Sequence, residues 1–566
     1  MLFKHSVLLA LAGIALGKPN LEFVDDETSI IGNGDGFQMT INSTSGYGYS
    51  IKDGETELVG SAVGAYVDTG GRHTFNYTKP EIEQSTDDLI DVKYAAIEGD
   101  VHYVFQSGLK GFYSYVVTRD FPTAGEFRSL LRLSPDIYTW GRNNEVDAPL
   151  PLIQDIENGY KVQDETFQRP NGSFITKYDF SAFVRDLDFH GVHGNGHGAW
   201  LISPSKDYYV GDQLKQELMI HRESKTNDAV LLNMVHGTHL CAEFSEEIPE
   251  GKIWGPWLFY FNDGDLDDVS KRVKEEGKKW PYEWLQDEKY HDRGNVKGQI
   301  VLQDGTPASG AAVFLGEPGR TVSQGAHYQY TGYADDKGHF EFKNVRREKE
   351  YALQAWASNK SDRLRNVSTV FEKNNITIEK NTNLGKLTWE LPKDRSPVWQ
   401  IGAFDRLSDG FKNSDKPRVH GLSDESPAYL YYAIGVNEEK DWYYAQSSEG
   451  NWTVLFDVDT TDKDAIISAS FAGYTAIARD DVNSGAVPVT LSLHMNGQPI
   501  GNISDDKAAD SALYRSANRA GGYYYQELTV PHDTLVEGSN RLDLVLINGA
   551  RWKGIIWDAI KLELTN

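Results

Sequence analysis

Phe37-Gln38-Met39-Thr40-Ile41 and Val101-His102-Tyr103-Val104-Phe105 are short segments of strand pattern, and their reading decides the fold. A strand sends successive side chains to opposite faces, so apolar residues recurring every second position mark a half-buried strand. Segments of this kind, punctuated by Gly and Asn-Gly turns, succeed one another from Leu21 to about Asp263. They predict a large N-terminal antiparallel β-sandwich. One amphipathic helix interrupts the pattern, from about Asp267 to Glu276, with Val269 and Val273 on one face, an Asp cap, and Gly277 and Pro281 as its stop.

A second unit opens near Gly294. Val296-Lys297-Gly298-Gln299-Ile300 leads through Asp304-Gly305-Thr306-Pro307 to Ala312-Val313-Phe314-Leu315, and Asp336-Lys337-Gly338-His339-Phe340 supplies another hairpin turn. About ninety residues suit a fibronectin-III-like sandwich. A third unit runs from Trp399-Gln400-Ile401-Gly402 to Gly554-Ile555-Ile556-Trp557 and beyond, strand-patterned without a long helical period, as in a jelly-roll β-sandwich of the carbohydrate-binding kind. The chain is therefore read as all-β, divided at 18–290, 291–392 and 393–566. For 566 residues, roughly three to four domains is the expectation.

Residues 1–17, with Lys4, an apolar run from Val7 to Leu16, and small residues at Ala15 and Gly17, read as a secretory signal peptide. The run is too short to span a bilayer. A secreted, extracellular protein is expected, and Asn42, Asn76, Asn171, Asn359, Asn366, Asn375, Asn451 and Asn502 each head an N-glycosylation sequon. A single cysteine, Cys241, excludes an internal disulfide, so stability must come from large cores. With 83 acidic against 56 basic residues and a net charge of -27, neither nucleic acid nor an anionic membrane is a fitting partner. An anionic polysaccharide would need Lys, Arg and His gathered locally in its groove.

Two chemistries on polysaccharides leave different residues. Glycoside hydrolysis needs paired carboxylates, for which Glu126 and Asp120 are candidates. β-Elimination from a uronate needs cations to neutralise the substrate carboxylate and a base to take the C5 proton. Gly125-Glu126-Phe127-Arg128, Thr176-Lys177-Tyr178-Asp179-Phe180-Ser181 and Met234-Val235-His236-Gly237-Thr238-His239 supply the second set. Taken singly, each cation or histidine is an ordinary surface or core side chain.

Those segments, with Val184-Arg185-Asp186, His190-Gly191 and the stretch Tyr208 to Glu217, resemble the rhamnogalacturonan lyases of polysaccharide lyase family 4 along the whole chain. The resemblance implies a catalytic β-sandwich of the supersandwich type, then a fibronectin-III-like domain and a jelly roll. It implies an endo-acting lyase on rhamnogalacturonan I of pectin, with Lys177 as the catalytic lysine and His239 as the catalytic histidine. Arg128 matches the arginine that binds the substrate carboxylate. His236 is the rival of His239, and Arg132 of Arg128; Tyr178, His236 and His193 are further candidates for substrate contact. Leu232 and Met234 stand where fungal relatives are expected to carry tyrosines. No cofactor is required by this chemistry, and a monomer is expected. A non-catalytic pectin-binding protein and a glycoside hydrolase on the same polymer are the alternatives.

Three other groups are read more plainly. His190, His193 and His197 stand among glycines, as a turn rather than a metal site. Asp457, Asp459, Asp462 and Asp464 lack the Gly and final Glu of a calcium loop and read as a solvated hairpin, leaving a structural calcium elsewhere in the last domain as an open alternative. Trp399, Trp442, Trp452, Trp552 and Trp557 suit either a sugar-stacking platform or a core.

Overall fold

The computed structural model describes residues 17–69, 75, 77–121, 127–209, 216–236, 247–320, 325–347, 349–416, 419–459, 462–477, 487–504 and 510–566. The signal peptide up to residue 16, Asn76, Glu126, His239 and Cys241 lie outside the described residues. Among those described, no helix is long and apolar enough to cross a membrane.

Alternation builds the first sandwich. Phe37–Asn42 buries every second residue, with Phe37, Met39 and Ile41 fully inside. Among the described residues it belongs to a nine-stranded antiparallel sheet whose far end runs Gly48–Asp53, Ala65–Asp68, Phe127–Leu133, Ala229–His236 and Ile220–Arg222. A second nine-stranded sheet, containing Gly99–Gln106, Gly111–Thr118, Ile253–Asn262, His197–Ile202 and Phe189–Gly194, faces it. Phe105, Phe112, Phe259 and Phe261 meet Phe37, Leu131 and Leu231 in one core between the sheets. Large apolar side chains facing inward from both sheets account for the two layers.

The helix spans Leu266–Lys279, and the Asp265 side chain accepts from the amides of Asp267 and Asp268. It passes through Gly277, which the sequence reading took for a stop. One exposed glycine costs a helix only about 1 kcal/mol relative to alanine, whereas Pro281 forbids continuation and sets Trp280 in an extended conformation. Val269 is buried, and Val273 packs with it against Tyr113, Tyr260 and Tyr282.

Two further sandwiches follow. Arg293–Leu302 pairs with His339–Arg346 antiparallel and with Asn381–Trp389 parallel, and it faces a four-stranded sheet that contains Ala312–Gly316 and Glu350–Trp356. Strands from Arg395–Gly402 to Gly554–Thr565 form two five-stranded sheets. Trp442 packs edge-on against Trp452 at 5.0 Å and against Trp557 at 5.4 Å, all three fully buried. With Trp399 also buried, these four tryptophans form a core and not a platform; Trp552 lies beside His420 and Tyr514.

The sandwiches are joined by specific contacts. Arg293 pairs with Asp207 at 3.0 Å in a buried contact between the first and second. Arg406 lies 3.9 Å above the Trp356 ring between the second and third. The third reaches the first where Gln216 donates to the carbonyl of Ala520 and Arg519 lies over Phe183.

Candidate active site

In the strand Phe127–Leu133, Leu131 and Leu133 enter the main core, so Arg128, Leu130 and Arg132 stand on the opposite face of the sheet. Register carries that face across neighbouring strands. Arg128 is opposite Asp68 and Met234, Leu130 is opposite Tyr66 and Leu232, and Arg132 is opposite Val230, which is itself opposite His221. Leu130, Val230, Leu232 and Met234 make a small apolar floor with Tyr178 and Leu218. The two residues that replace the expected tyrosines, Leu232 and Met234, are part of this floor.

Over the floor lies a small three-stranded sheet, Tyr160–Gln163, Thr166–Gln168 and Phe174–Thr176, and Lys177 leaves directly after its last strand. The Lys177 amide donates to the carbonyl of Glu165, and the hydroxyls of Thr166 and Thr176 meet at 2.9 Å, fixing where the lysine emerges. Its ammonium lies 2.5 Å from Oδ2 of Asp164 in the first turn of the same sheet. Burial pushes the Asp164 carboxyl up, but the charges of Lys177, Arg515 and Lys161 outweigh it and hold the group below its ordinary value.

Each arginine is held by a carboxylate. Arg128 donates from Nε and Nη2 to the two oxygens of Asp68, at 2.7 and 3.1 Å, a fork that fixes the guanidinium plane. Arg132 donates to Glu223 at 2.8 Å and to the hydroxyl of Tyr66 at 3.3 Å. Tyr178 is buried with cations over its ring, Lys177 Nζ at 5.5 Å and the Arg515 guanidinium of the third sandwich at 5.1 Å.

His221 is the residue that the sequence reading missed. Its side chain is buried, and it lines with Lys177, Glu165, Phe180 and Arg222 a small space of about 10 Å³. Burial, and then the positive charges of Lys177, Arg132 and Arg128, hold its imidazole well below the usual value, so it is neutral. Among the described residues its Nδ1 has no hydrogen-bond partner. Nothing in Ile220-His221-Arg222 signals this, because only the strand register brings His221 beside Arg132.

Lys177, Arg128, Arg132 and Tyr178 are thus brought together. His236 ends the strand Ala229–His236, opposite Phe127, and is buried; His239 lies beyond the described residues. His193 does not join them. It sits on the second sheet, bonded to Asp147 at 3.1 Å and beside Trp140 and Trp200, because its neighbour Val192 takes the inward position. His190 faces inward, its Nε2–H donating to the carbonyl of Leu232 at 2.7 Å, and burial lowers its pKa to about 4. The three histidines occupy a hairpin turned at Asn195-Gly196, both with positive φ, and no metal-ligating group is found among the described residues. Asp464 accepts from the amide and ring of His532 in the link between two strands.

The profile of polysaccharide lyase family 4, domain II, matches residues 303–383, and that of domain III matches 397–562. A rhamnogalacturonate lyase of Dickeya dadantii is 32% identical over 518 residues, covering 88% of this chain and 85% of that protein. Rhamnogalacturonate lyase B of Emericella nidulans is 24% identical over 672 residues, covering 98% of each. A probable rhamnogalacturonate lyase B of Aspergillus niger is 27% identical over 503 residues, covering 74% of this chain and 68% of that protein.

Proposed function

Since this chain belongs to the rhamnogalacturonate lyases of polysaccharide lyase family 4, we propose that it cleaves the rhamnose-galacturonate bond of rhamnogalacturonan I by β-elimination. The observation that carries the reading is local. In a chain of net charge -27, Lys177 and Arg515 gather with neutral His221 over the face of one sheet that carries Arg128 and Arg132, and Asp68, Glu223 and Asp164 hold three of these cations in place. Such a cluster offers fixed donors to a uronate that the whole molecule repels.

In the reaction the C5–H bond breaks, its electrons form the C4=C5 bond, the C4–O4 bond breaks, and O4 takes a proton to leave as the rhamnose hydroxyl. The negative charge that builds on the uronate carboxyl is the principal barrier, and preorganised guanidinium groups are the side chains that lower it. Arg128, with its plane already fixed by Asp68, is our choice for that contact, and Lys177 with the histidine at 239 would divide the base and acid roles. The matching of Lys177 and His239 to those roles comes from the family's motif.

Asp164 favours elimination over hydrolysis. A hydrolytic general acid needs a raised pKa, yet Asp164, the carboxylate beside Lys177, is held below its ordinary value. We place the enzyme outside the cell, a reading supported by the N-terminal signal pattern and the sequons. Incubation with purified rhamnogalacturonan I tests the reaction. Elimination creates a conjugated unsaturated uronate that absorbs ultraviolet light; hydrolysis yields reducing ends without that absorbance; a binding protein yields neither.

A further inference from the structure

We propose that the third sandwich acts as a clamp on the strand that leads into Lys177, and that Phe174 is the positioning residue through which it acts. The inference rests on the reading of Lys177 as a residue of the elimination site.

Phe174 begins the short strand Phe174–Thr176, three residues before Lys177, and points out of the first sandwich. Its ring meets the His420 ring at 5.1 Å, tilted by 64°, and the Arg551 guanidinium at 5.7 Å. Both partners belong to the third sandwich and both are fixed there. His420 Nδ1 meets the Ser516 hydroxyl at 2.6 Å, and Arg551 pairs with Asp424 at 2.8 Å. Gly421 completes the seat. Its φ is +77°, and a Cβ there would lie 3.2 Å from Cε2 of Phe174, so the backbone closes against the ring where a side chain would push it away.

On the other side of Lys177, its neighbour Tyr178 lies beneath Arg515, the residue before Ser516. The lysine is therefore flanked by two contacts with the third sandwich, one from Phe174 and one from Tyr178, and both lead back to the Arg515-Ser516 segment. The small sheet is also tied to the first sandwich, where Ser224 donates to Glu165 and Arg169 pairs with Asp155, but neither contact involves the Phe174 side chain. Its strands are three or four residues long, and a short isolated sheet is marginal by itself. A shift of about 1 Å in a reacting group can cost on the order of 100-fold in rate.

The experiment compares the full chain with Phe174→Ala, Phe174→Leu and Lys177→Ala, recording kcat and KM by ultraviolet absorbance and amide hydrogen exchange over residues 160–177. Phe174→Ala is expected to lower kcat roughly 10- to 100-fold with KM changed less than about threefold, and to speed exchange in that segment while Phe127–Leu133 stays protected. Phe174→Leu, which keeps apolar bulk in the seat, is expected to restore most of kcat. Unchanged exchange over 160–177 in Phe174→Ala would overturn the clamp, whatever the activity. So would an unchanged kcat when Lys177→Ala is inactive. Full activity in Lys177→Ala would instead overturn the role of the lysine, and the clamp's catalytic consequence with it.

Discussion

Arg128 and Asp68 lie opposite each other on neighbouring strands and share a two-pronged hydrogen bond, so the plane of the guanidinium is set before any substrate arrives. Lysine cannot reproduce that fork, because its ammonium is a point donor on a flexible stem. Arg128→Lys is therefore expected to fold normally and to lose kcat/KM by roughly 100-fold, the scale of removing one preorganised donor from a developing oxyanion. Steady-state rates together with an unchanged circular dichroism spectrum check this.

His221 makes acid stability sensitive to the site. The unfolded chain takes up this proton near pH 6.5, whereas burial and the charges of Lys177, Arg132 and Arg128 delay uptake in the folded chain to well below that value. Between those limits the unfolded state holds more protons, so stability falls as the pH falls through and below about 6.5. His190 and His420, lowered to about 4 and about 3, act in the same direction. Between pH 7.5 and 5 the melting temperature of the unaltered chain is expected to fall further than that of His221→Gln; parallel curves would show that His221 carries no such penalty.

The tryptophan cluster of the third sandwich gives a stability prediction independent of catalysis. Trp442 is fully buried between Trp452 and Trp557. Truncating such a side chain leaves a cavity as well as losing apolar burial, so Trp442→Ala is expected to cost about 3–5 kcal/mol. A denaturant titration that follows the third sandwich measures it. A cost below about 1 kcal/mol would fit a surface ring, which the packing contradicts.

The sequence and the structure agree best where a pattern is local. Alternation in Phe37–Asn42 is visible without coordinates, as is an Asp cap on the long helix, which the structure assigns to Asp265. With Gly277 and Pro281 both read as its stop, the helix is expected to end near Glu276; it runs on to Lys279 because an exposed glycine is tolerated and only the proline ends it. Lys177 and Arg128 stand in segments that resemble the family's motif, and the fold brings those segments to one face. Asp164 and Asp68 are not legible in this way, since each is an ordinary acidic residue until a turn or a strand pairing sets it against its cation. Arg515 comes from another sandwich altogether, and no spacing along the chain relates it to Tyr178. His193 belongs to a strand of the other sheet, and with Val192 turned into the core it faces away from the core.

The most direct measurement is ultraviolet absorbance during incubation of purified rhamnogalacturonan I with the unaltered chain, Lys177→Ala and Arg128→Ala, each shown to be folded. The account predicts a steady rise with the unaltered chain and a rise at least about 100-fold slower with either variant. An equal rise in all three would contradict the assignment of this cationic face as the place of elimination, and reducing ends appearing without absorbance would contradict elimination itself.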